Sequence, residues 1–495
     1  MLLSSRLPSR PRSWLFSRRP RAALLAAASA ALVAAALPAP TELGIGDPLF
    51  PALGNPGYDV LAYDIGLTYG GSNTQPLEAV TRIYARTTAP LERVNLDFAR
   101  GTVRSVEVDG KPAAFTTAGE DLVITPGKAL DDNELVWITV RHTSVPGGSG
   151  GWLRTGDGLA MANQADAAHL VFPCNDHPAD KAIFTFRVTA PDGLTAVANG
   201  QPLVTTTRRA GNTTWTYRTG HPMATELAQV SIGRSAVVHR KGPHGLPVRD
   251  VVPAEDRDLL EPWLKKTPGH LEWMEQQVGP YPFETYGLLV ADTATGFELE
   301  TQTLSLFERG LFTQPGIPAW YIDAIMVHEL AHSWFGNSVS PRRWSDLWLN
   351  EGHATWYEAR YAEEHGGISL QERMKDAYAL SDTWRAAGGP PAAPRQGKPG
   401  EKLGLFRAVV YDGSALVLYA LRQTIGAEAF GRLERNWVAE HRDSTATTAD
   451  FVRLASKTAG RDLTGFFKDW LHGQKTPPMP GHPDWHSRPP AADGQ

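Results

Sequence analysis

The 495-residue chain reads as an α+β protein, β-rich through about residue 240 and mainly helical from there to about residue 473. Three observations predict this. Short apolar or alternating runs, separated by turn clusters, fill the first part, and apolar residues at helical spacing fill the second. The third is His328-Glu329-Leu330-Ala331-His332, followed eighteen residues after His332 by Asn350-Glu351-Gly352, which places three metal-ligating side chains on two of the expected helices.

Residues 1–40 stand apart. They hold six arginines (Arg6, Arg10, Arg12, Arg18, Arg19, Arg21) and no acid, then an apolar run from Ala22 to Leu37 broken only by Ser29. A positive segment before an apolar one is the pattern of a signal peptide, with Leu37-Pro38-Ala39-Pro40 as the processing site. Sixteen residues, mostly alanine, are short for a membrane-crossing helix, so an uncleaved anchor is the competing reading. The expectation is a secreted or extracytoplasmic bacterial protein, exported by the general or the twin-arginine route. It would touch a membrane only if the segment is retained.

From 41 to 241 the chain predicts a β-domain, with strands at 60–69, 77–87, 93–98, 121–125, 135–140, 182–189 and 230–239. Ala118-Gly119, Pro126-Gly127 and Pro146-Gly147-Gly148 punctuate them as turns. Around Gly242-Pro243-His244-Gly245 the pattern changes. A helix is expected at 259–277, a strand at 286–290, and helices at 414–424, 427–441, 449–458 and 463–473. Residues 474–495, rich in proline, read as a loose tail.

A hydrophobic content of 42% is ample for a large core. The formal net charge is −5 with the six leader arginines and −11 for residues 41–495 without them, which argues against nucleic acid as a partner. Cys174 is the sole cysteine, so no intrachain disulfide exists, and it reads as buried core and a poor metal candidate by itself.

Residues four apart on a helix lie one turn above each other, so the imidazoles of His328 and His332 can reach one ion. Apolar residues at 321–327 carry the helix in, and Gly336 is a stop four residues past His332. Glu351, on a second apolar helix at 346–358, adds a third ligand and leaves a fourth position for water or substrate, which separates a catalytic zinc site from a structural one. Glu329 projects to that open side, where it can take a proton from metal-activated water. The competing reading is a histidine pair satisfied within the core. Two apolar helices that turn carboxylates and imidazoles inward need compensation, and a metal supplies it. Two imidazoles and a carboxylate favour zinc, one per chain.

Four stretches resemble the zinc aminopeptidases of peptidase family M1: VHELAHSWFGNSVSPRRWSDLWLNEG (327–352), GFELETQT (296–303), FPCNDHP (172–178) and VVYDGSALVLYAL (409–421). They follow the family's order over about 250 residues. The resemblance implies a saddle of β-sheets at 41–241 and a thermolysin-like catalytic domain at 242–475, with an α/β lobe and a helical lobe. It implies zinc on His328, His332 and Glu351, and Glu329 as general base. Glu358 would orient a ligand histidine, the alternative being a solvated helix carboxylate. Tyr411 would hydrogen-bond the developing oxyanion, whereas Tyr419 reads as helix packing. Glu300 would bind the free α-amine of a peptide, with Gln164 as a second amine contact. Larger relatives continue into a helical domain beyond the point corresponding to residue 475, so the expectation here is a more open cleft.

Two departures touch specificity. In Gly296-Phe297-Glu298-Leu299-Glu300-Thr301 the glutamate that binds the amine is kept, but Phe297 and Glu298 replace two small residues, Leu299 a methionine and Thr301 an asparagine. Gln164 stands where many members carry a glutamate. The expected activity is hydrolysis of the N-terminal bond of peptides with a free N-terminus. A thermolysin-like endopeptidase or an epoxide hydrolase on the same zinc is one alternative, and a catalytically silent binding module is the other. The retained Glu329 and Tyr411 speak against the silent form.

Overall fold

The computed structural model describes residues 39–148, 150–203, 206–395 and 404–488, in which a β-sheet region precedes a helix-rich one. Apart from Ala39 and Pro40, the export segment expected at 1–40 lies outside the described residues. No described helix is long and apolar enough to cross a membrane.

The antiparallel strands Tyr58–Thr68 and Leu77–Thr87 form the centre of the largest sheet, which has eleven strands among the described residues. Their side chains alternate, so Val60, Ile65, Leu67, Ile83 and Ala85 enter the core while Arg82 and Arg86 stay on the outer face. A four-stranded sheet of Gly151–Arg154, Leu159–Ala162, Thr195–Ala198 and Val230–Gly233 lies beside the first core. A third sheet, of Ser235–Lys241, Pro247–Pro253, Leu288–Ala291 and Ser305–Glu308, forms the seam between the two regions. Its strand Leu288–Ala291 is buried throughout. Leu288 and Val290 join the helical core, and Leu289 and Ala291 join the β core. A continuous apolar run is what a strand covered on both faces requires.

The helices are α1 (Arg257–Leu264), α2 (Thr267–Val278), α3 (Arg309–Thr313), α4 (Ala319–Ala331), α5 (Trp348–Glu364), α6 (Leu370–Gly388), α7 (Asp412–Ile425), α8 (Ala427–Glu440), α9 (Thr448–Ala459) and α10 (Thr464–His472). Trp334, Trp348, Trp356 and Trp437 fill the core between them. Gly352 in α5 has a packing reason. A Cβ there would stand 2.7 Å from Ser414 Cβ, so glycine is what lets α7 cross close to α5.

Several expectations need correction. The single helix expected at 259–277 is two, because Pro268 cannot donate a backbone hydrogen bond and instead opens α2 at its first turn. The strand expected at 230–239 divides at Arg234, whose N–H goes to the Asp157 carboxylate at 2.6 Å, and its two halves join different sheets. Strand Lys111–Ala118 was not legible because it is almost wholly exposed and carries no apolar alternation. The tail is not loose through residue 488. Met479 and Trp485 are buried, the Tyr378 hydroxyl donates to the Pro477 carbonyl, and Ser487 donates to Asp382. Proline-rich composition masked two apolar anchors that pack on α6 and α7.

Long-range polar contacts lock the β region to the helical region around the future site. Asp47 accepts from Trp344 N at 2.8 Å and pairs with His177 at 3.1 Å. Lys181 Nζ donates to the carbonyls of Asn337 and Ser338 at 2.7 and 2.9 Å. Asp176 is the hub behind the 163–177 loop. Its carboxylate receives His169 Nδ1 at 2.7 Å and Thr225 Oγ1 at 2.7 Å, and its N–H donates to Asp97 at 2.7 Å.

Burial pulls the His169 imidazole down, but its hydrogen bonds to Asp176 and Glu120 outweigh that and lift it to about 10. An imidazole raised above its ordinary value of about 6.5 contributes stability that is full below that value and lost as pH rises through about 10. Asp176→Ala leaves His169 buried without its counter-charge and should cost about 3–5 kcal/mol in urea unfolding at pH 7. The gap from wild type should narrow at a pH above 10. A cost independent of pH would contradict this account of the pair.

Candidate metal centre

The site forms where α4 crosses α5. His328, Glu329 and His332 sit at the C-terminal end of α4, His332 as its capping residue, and Gly336 then turns the chain at φ 131°. Glu351 lies in the first turn of α5 and Glu358 two turns on. All five are buried, at 1–7% exposure.

His328 Nε2 and His332 Nε2 each lie 3.4 Å from Glu351 Oε2. The opposite nitrogens are already committed, His328 Nδ1 to Glu358 Oε2 at 2.9 Å and His332 Nδ1 to the Phe335 carbonyl at 3.1 Å. Because carbonyl and carboxylate oxygens accept, both Nδ1 atoms carry the proton and both Nε2 atoms present lone pairs. Both Nε2 atoms and a carboxylate oxygen thus face one point, where a metal can take their lone pairs. Glu351 Oε2 is buried and makes no hydrogen bond in that arrangement. Zinc bonds of about 2.0–2.1 Å in a tetrahedron set ligand atoms roughly 3.4 Å apart, so the residues present fit the ion.

The electrostatics agree. Burial opposes charge on either histidine, yet Glu351 and Glu358 lift His328 to about 9, and Glu300 and Glu351 lift His332 to about 9. Burial likewise opposes charge on Glu351, but His332 and His328 pull it down to about 2. Without a metal the two imidazoles therefore take up protons at Nε2 beside Glu351, and a cation bound at that point takes the place of that positive charge.

Glu300, Glu329 and His332 form a second triad within metal-binding reach. The His332 atom nearest Glu300 is Nδ1, at 4.0 Å, and that nitrogen is spent on Phe335. The first triad is therefore the better candidate for a metal, and the second lies beside it in the cleft. There Gln164 Nε2 donates to Glu300 Oε1 at 2.6 Å, and Asn337 Nδ2 donates to the Glu300 carbonyl at 2.7 Å. Burial, followed by repulsion from Glu300, Glu298 and Glu351, holds the Glu329 carboxyl far above the usual carboxylate range, and its Oε2 has no hydrogen-bond partner. Tyr411, at the N-terminus of α7, stacks over His328 with ring centroids 6.0 Å apart. Together these residues line a cleft of about 330 Å³.

The structure thus gathers Gln164, Glu300, His328, Glu329, His332, Glu351, Glu358 and Tyr411 around one cleft. Glu358 is 6% exposed, so it is not a solvated carboxylate. Tyr419 lies elsewhere, on His482 of the C-terminal segment at 2.9 Å, and Cys174 is buried. Arg373 of α6 was missed. Its Nη1 donates to Glu358 Oε1 at 2.6 Å and its Nε to Asp412 Oδ1 at 2.8 Å. Despite burial, Arg373 and His328 hold Glu358 down at about 2. No metal-related spacing points to an arginine on a separate helix.

The peptidase M1 N-terminal domain matches residues 159–227 and the peptidase family M1 domain matches residues 263–470. A leucyl aminopeptidase of Saccharolobus solfataricus is 25% identical over 66% of this chain and 42% of its own. The bovine glutamyl aminopeptidase is 26% identical over 63% of this chain and 34% of its own. The chain thus spans less than half the length of these two relatives. The crystal structure of an M1 zinc metallopeptidase from Deinococcus radiodurans superposes with a TM-score of 0.77 at 27% identity, covering 91% of this chain and 100% of that one. A mutant of a two-domain M1 zinc metallopeptidase bound to L-arginine superposes at 0.76, covering 88% and 99%. With both domain matches in order and a histidine–glutamate triad that could hold a metal, this chain belongs to peptidase family M1.

Proposed function

We propose that this protein is a zinc metalloaminopeptidase that removes the N-terminal residue of peptides. The observation that carries the reading is the buried Glu300 carboxylate, held by Gln164 at 2.6 Å and only 4.0 Å from His332. An anionic anchor that close to the metal position captures a substrate ammonium about one residue from the scissile carbonyl. Export belongs to the same proposal, supported by the six arginines and the apolar run within residues 1–40.

A zinc ion on His328, His332 and Glu351 would supply Lewis acidity toward the carbonyl and lower the pKa of water at the open position to about 7. The protein does the rest. Glu329 Oε2 has no partner, and with the ion's positive charge offsetting the neighbouring carboxylates Glu329 is ionised, receives the proton of the attacking water and passes it to the leaving amine. The Tyr411 hydroxyl donates to the carbonyl oxygen as negative charge grows there. Glu300 accepts hydrogen bonds from the ammonium, and Gln164 fixes the rotamer of Glu300. Glu358, anchored by Arg373, keeps the His328 proton on Nδ1.

The test is a panel of aminoacyl amides, each offered with a free amine and N-acetylated. Only the free amines should be cleaved. Glu329→Gln should lower kcat by about 10²–10⁴-fold while zinc content is kept. Equal cleavage of acetylated substrates would overturn the role of Glu300 and leave an endopeptidase.

Arg373→Met should weaken zinc binding by about 10–100-fold, read from competition with a chromophoric chelator, because Glu358 would lose the charge that keeps it ionised beside His328. An unchanged affinity would remove Arg373 from the support of the site.

A further inference from the structure

The proposed reaction leaves one carboxylate of the cleft unused. Leu299 is 1% exposed and bridges Leu306 on the sheet side, so its neighbours Glu298 and Glu300 both face the opposite way, where both line the cleft. Glu298 Oε2 accepts the Glu308 N–H at 2.6 Å, which holds the side chain in place. Apart from Glu329, whose unpartnered oxygen the proposed proton transfer uses, the other carboxylates of the cleft are matched. Glu351 faces two imidazoles, Arg373 holds Glu358 and Asp412, and Gln164 donates to Glu300. Glu298 forms no ion pair among the described residues. Burial and the nearby Glu308 carboxylate push it up to about 8, against the pull of the Glu308 N–H.

Its place along the cleft follows from α4. Tyr321, Ile325 and Glu329 recur every four residues and mark one stripe of that helix, with His332 close to one turn beyond. Glu300 is level with His332. Glu298 lies two residues back, across the Leu299–Leu306 bridge, and its hold on the Glu308 N–H sets it at the start of α3, the helix that carries Leu311. The order from one end is therefore Gln164 with Glu300, then the metal ligands with Glu329, then Glu298 among Phe297, Leu311, Tyr321 and Ile325. A peptide whose ammonium rests on Glu300 and whose first carbonyl reaches the metal position runs its second residue toward Glu298.

We propose that Glu298 selects a cationic side chain, lysine or arginine, on the residue that follows the scissile bond. This rests on the aminopeptidase reading above. The apolar wall of Phe297, Leu311 and Ile325 takes the methylene stem of such a side chain, and the free Glu298 oxygen takes its charged head. A cationic head draws the Glu298 carboxyl into its ionised form, whereas an acidic second residue holds it protonated, gains no such pairing and is disfavoured.

The experiment uses the zinc-loaded full chain and the peptides Leu-Lys-amide, Leu-Leu-amide and Leu-Glu-amide, with Lys-Leu-amide as a control for the first residue. The wild type should prefer Leu-Lys-amide over Leu-Glu-amide by at least about tenfold in kcat/KM, less at high salt. Glu298→Gln retains an oxygen for the Glu308 N–H and should cut that ratio about tenfold, and Glu298→Lys should reverse the preference. A merely structural role would slow all four peptides alike, which would overturn the proposal. A change confined to Lys-Leu-amide would also overturn it, by placing Glu298 at the first residue. Hydrolysis of all peptides without charge preference in the wild type defeats this inference alone, whereas no hydrolysis of any defeats the aminopeptidase reading itself.

Discussion

Two imidazole nitrogens and a carboxylate oxygen face one point inside this protein. His328 Nε2 and His332 Nε2 each stand 3.4 Å from Glu351 Oε2 across the α4–α5 crossing. Such a cluster is costly to bury unless a cation occupies its centre. The surroundings aim the ligand atoms. The Phe335 carbonyl and the Glu358 carboxylate take both Nδ1 protons, so both rings turn Nε2 toward that point. The fold commits to the ion before the ion arrives.

The rest of the architecture can be understood as support for that commitment. Arg373 secures Glu358 from a third helix, and the packing of α7 against Gly352 brings Tyr411 over His328. The β region does more than cover the cleft. Lys181 and Asp47 grip the segment that joins α4 to α5, and the Asp176 hub lies behind the loop that carries Gln164 to Glu300. The proposed substrate anchor is thus shared between the two regions, 136 residues apart in sequence. That arrangement ties specificity to the seam and metal binding to the helical core.

The metal centre was legible because helical spacing is local. His328 and His332 recur at one turn, Glu351 and Glu358 at two, and the apolar flanks declare which faces are buried. Geometry that depends on distant partners was not legible from spacing alone. Nothing in the sequence of α6 marks Arg373 as the partner of Glu358, since an arginine on a mixed helix reads as solvated. Gln164 and Glu300 came from resemblance, and only the folded seam shows that they touch. Errors in the elements came from single residues that override periodicity, such as Pro268 dividing a helix and Asp157 capturing the Arg234 N–H. The C-terminal segment misled through composition, because two apolar residues, Met479 and Trp485, outweigh its prolines.

The measurement that bears most directly on the central claim is anomalous diffraction at the zinc absorption edge from crystals of the zinc-loaded protein. The account predicts one peak per chain in the active-site cleft, about 2.0–2.1 Å from His328 Nε2, His332 Nε2 and a Glu351 oxygen, with His328 Nδ1 still on Glu358. A peak among Glu300, Glu329 and His332 instead, or no peak at either triad, would contradict it.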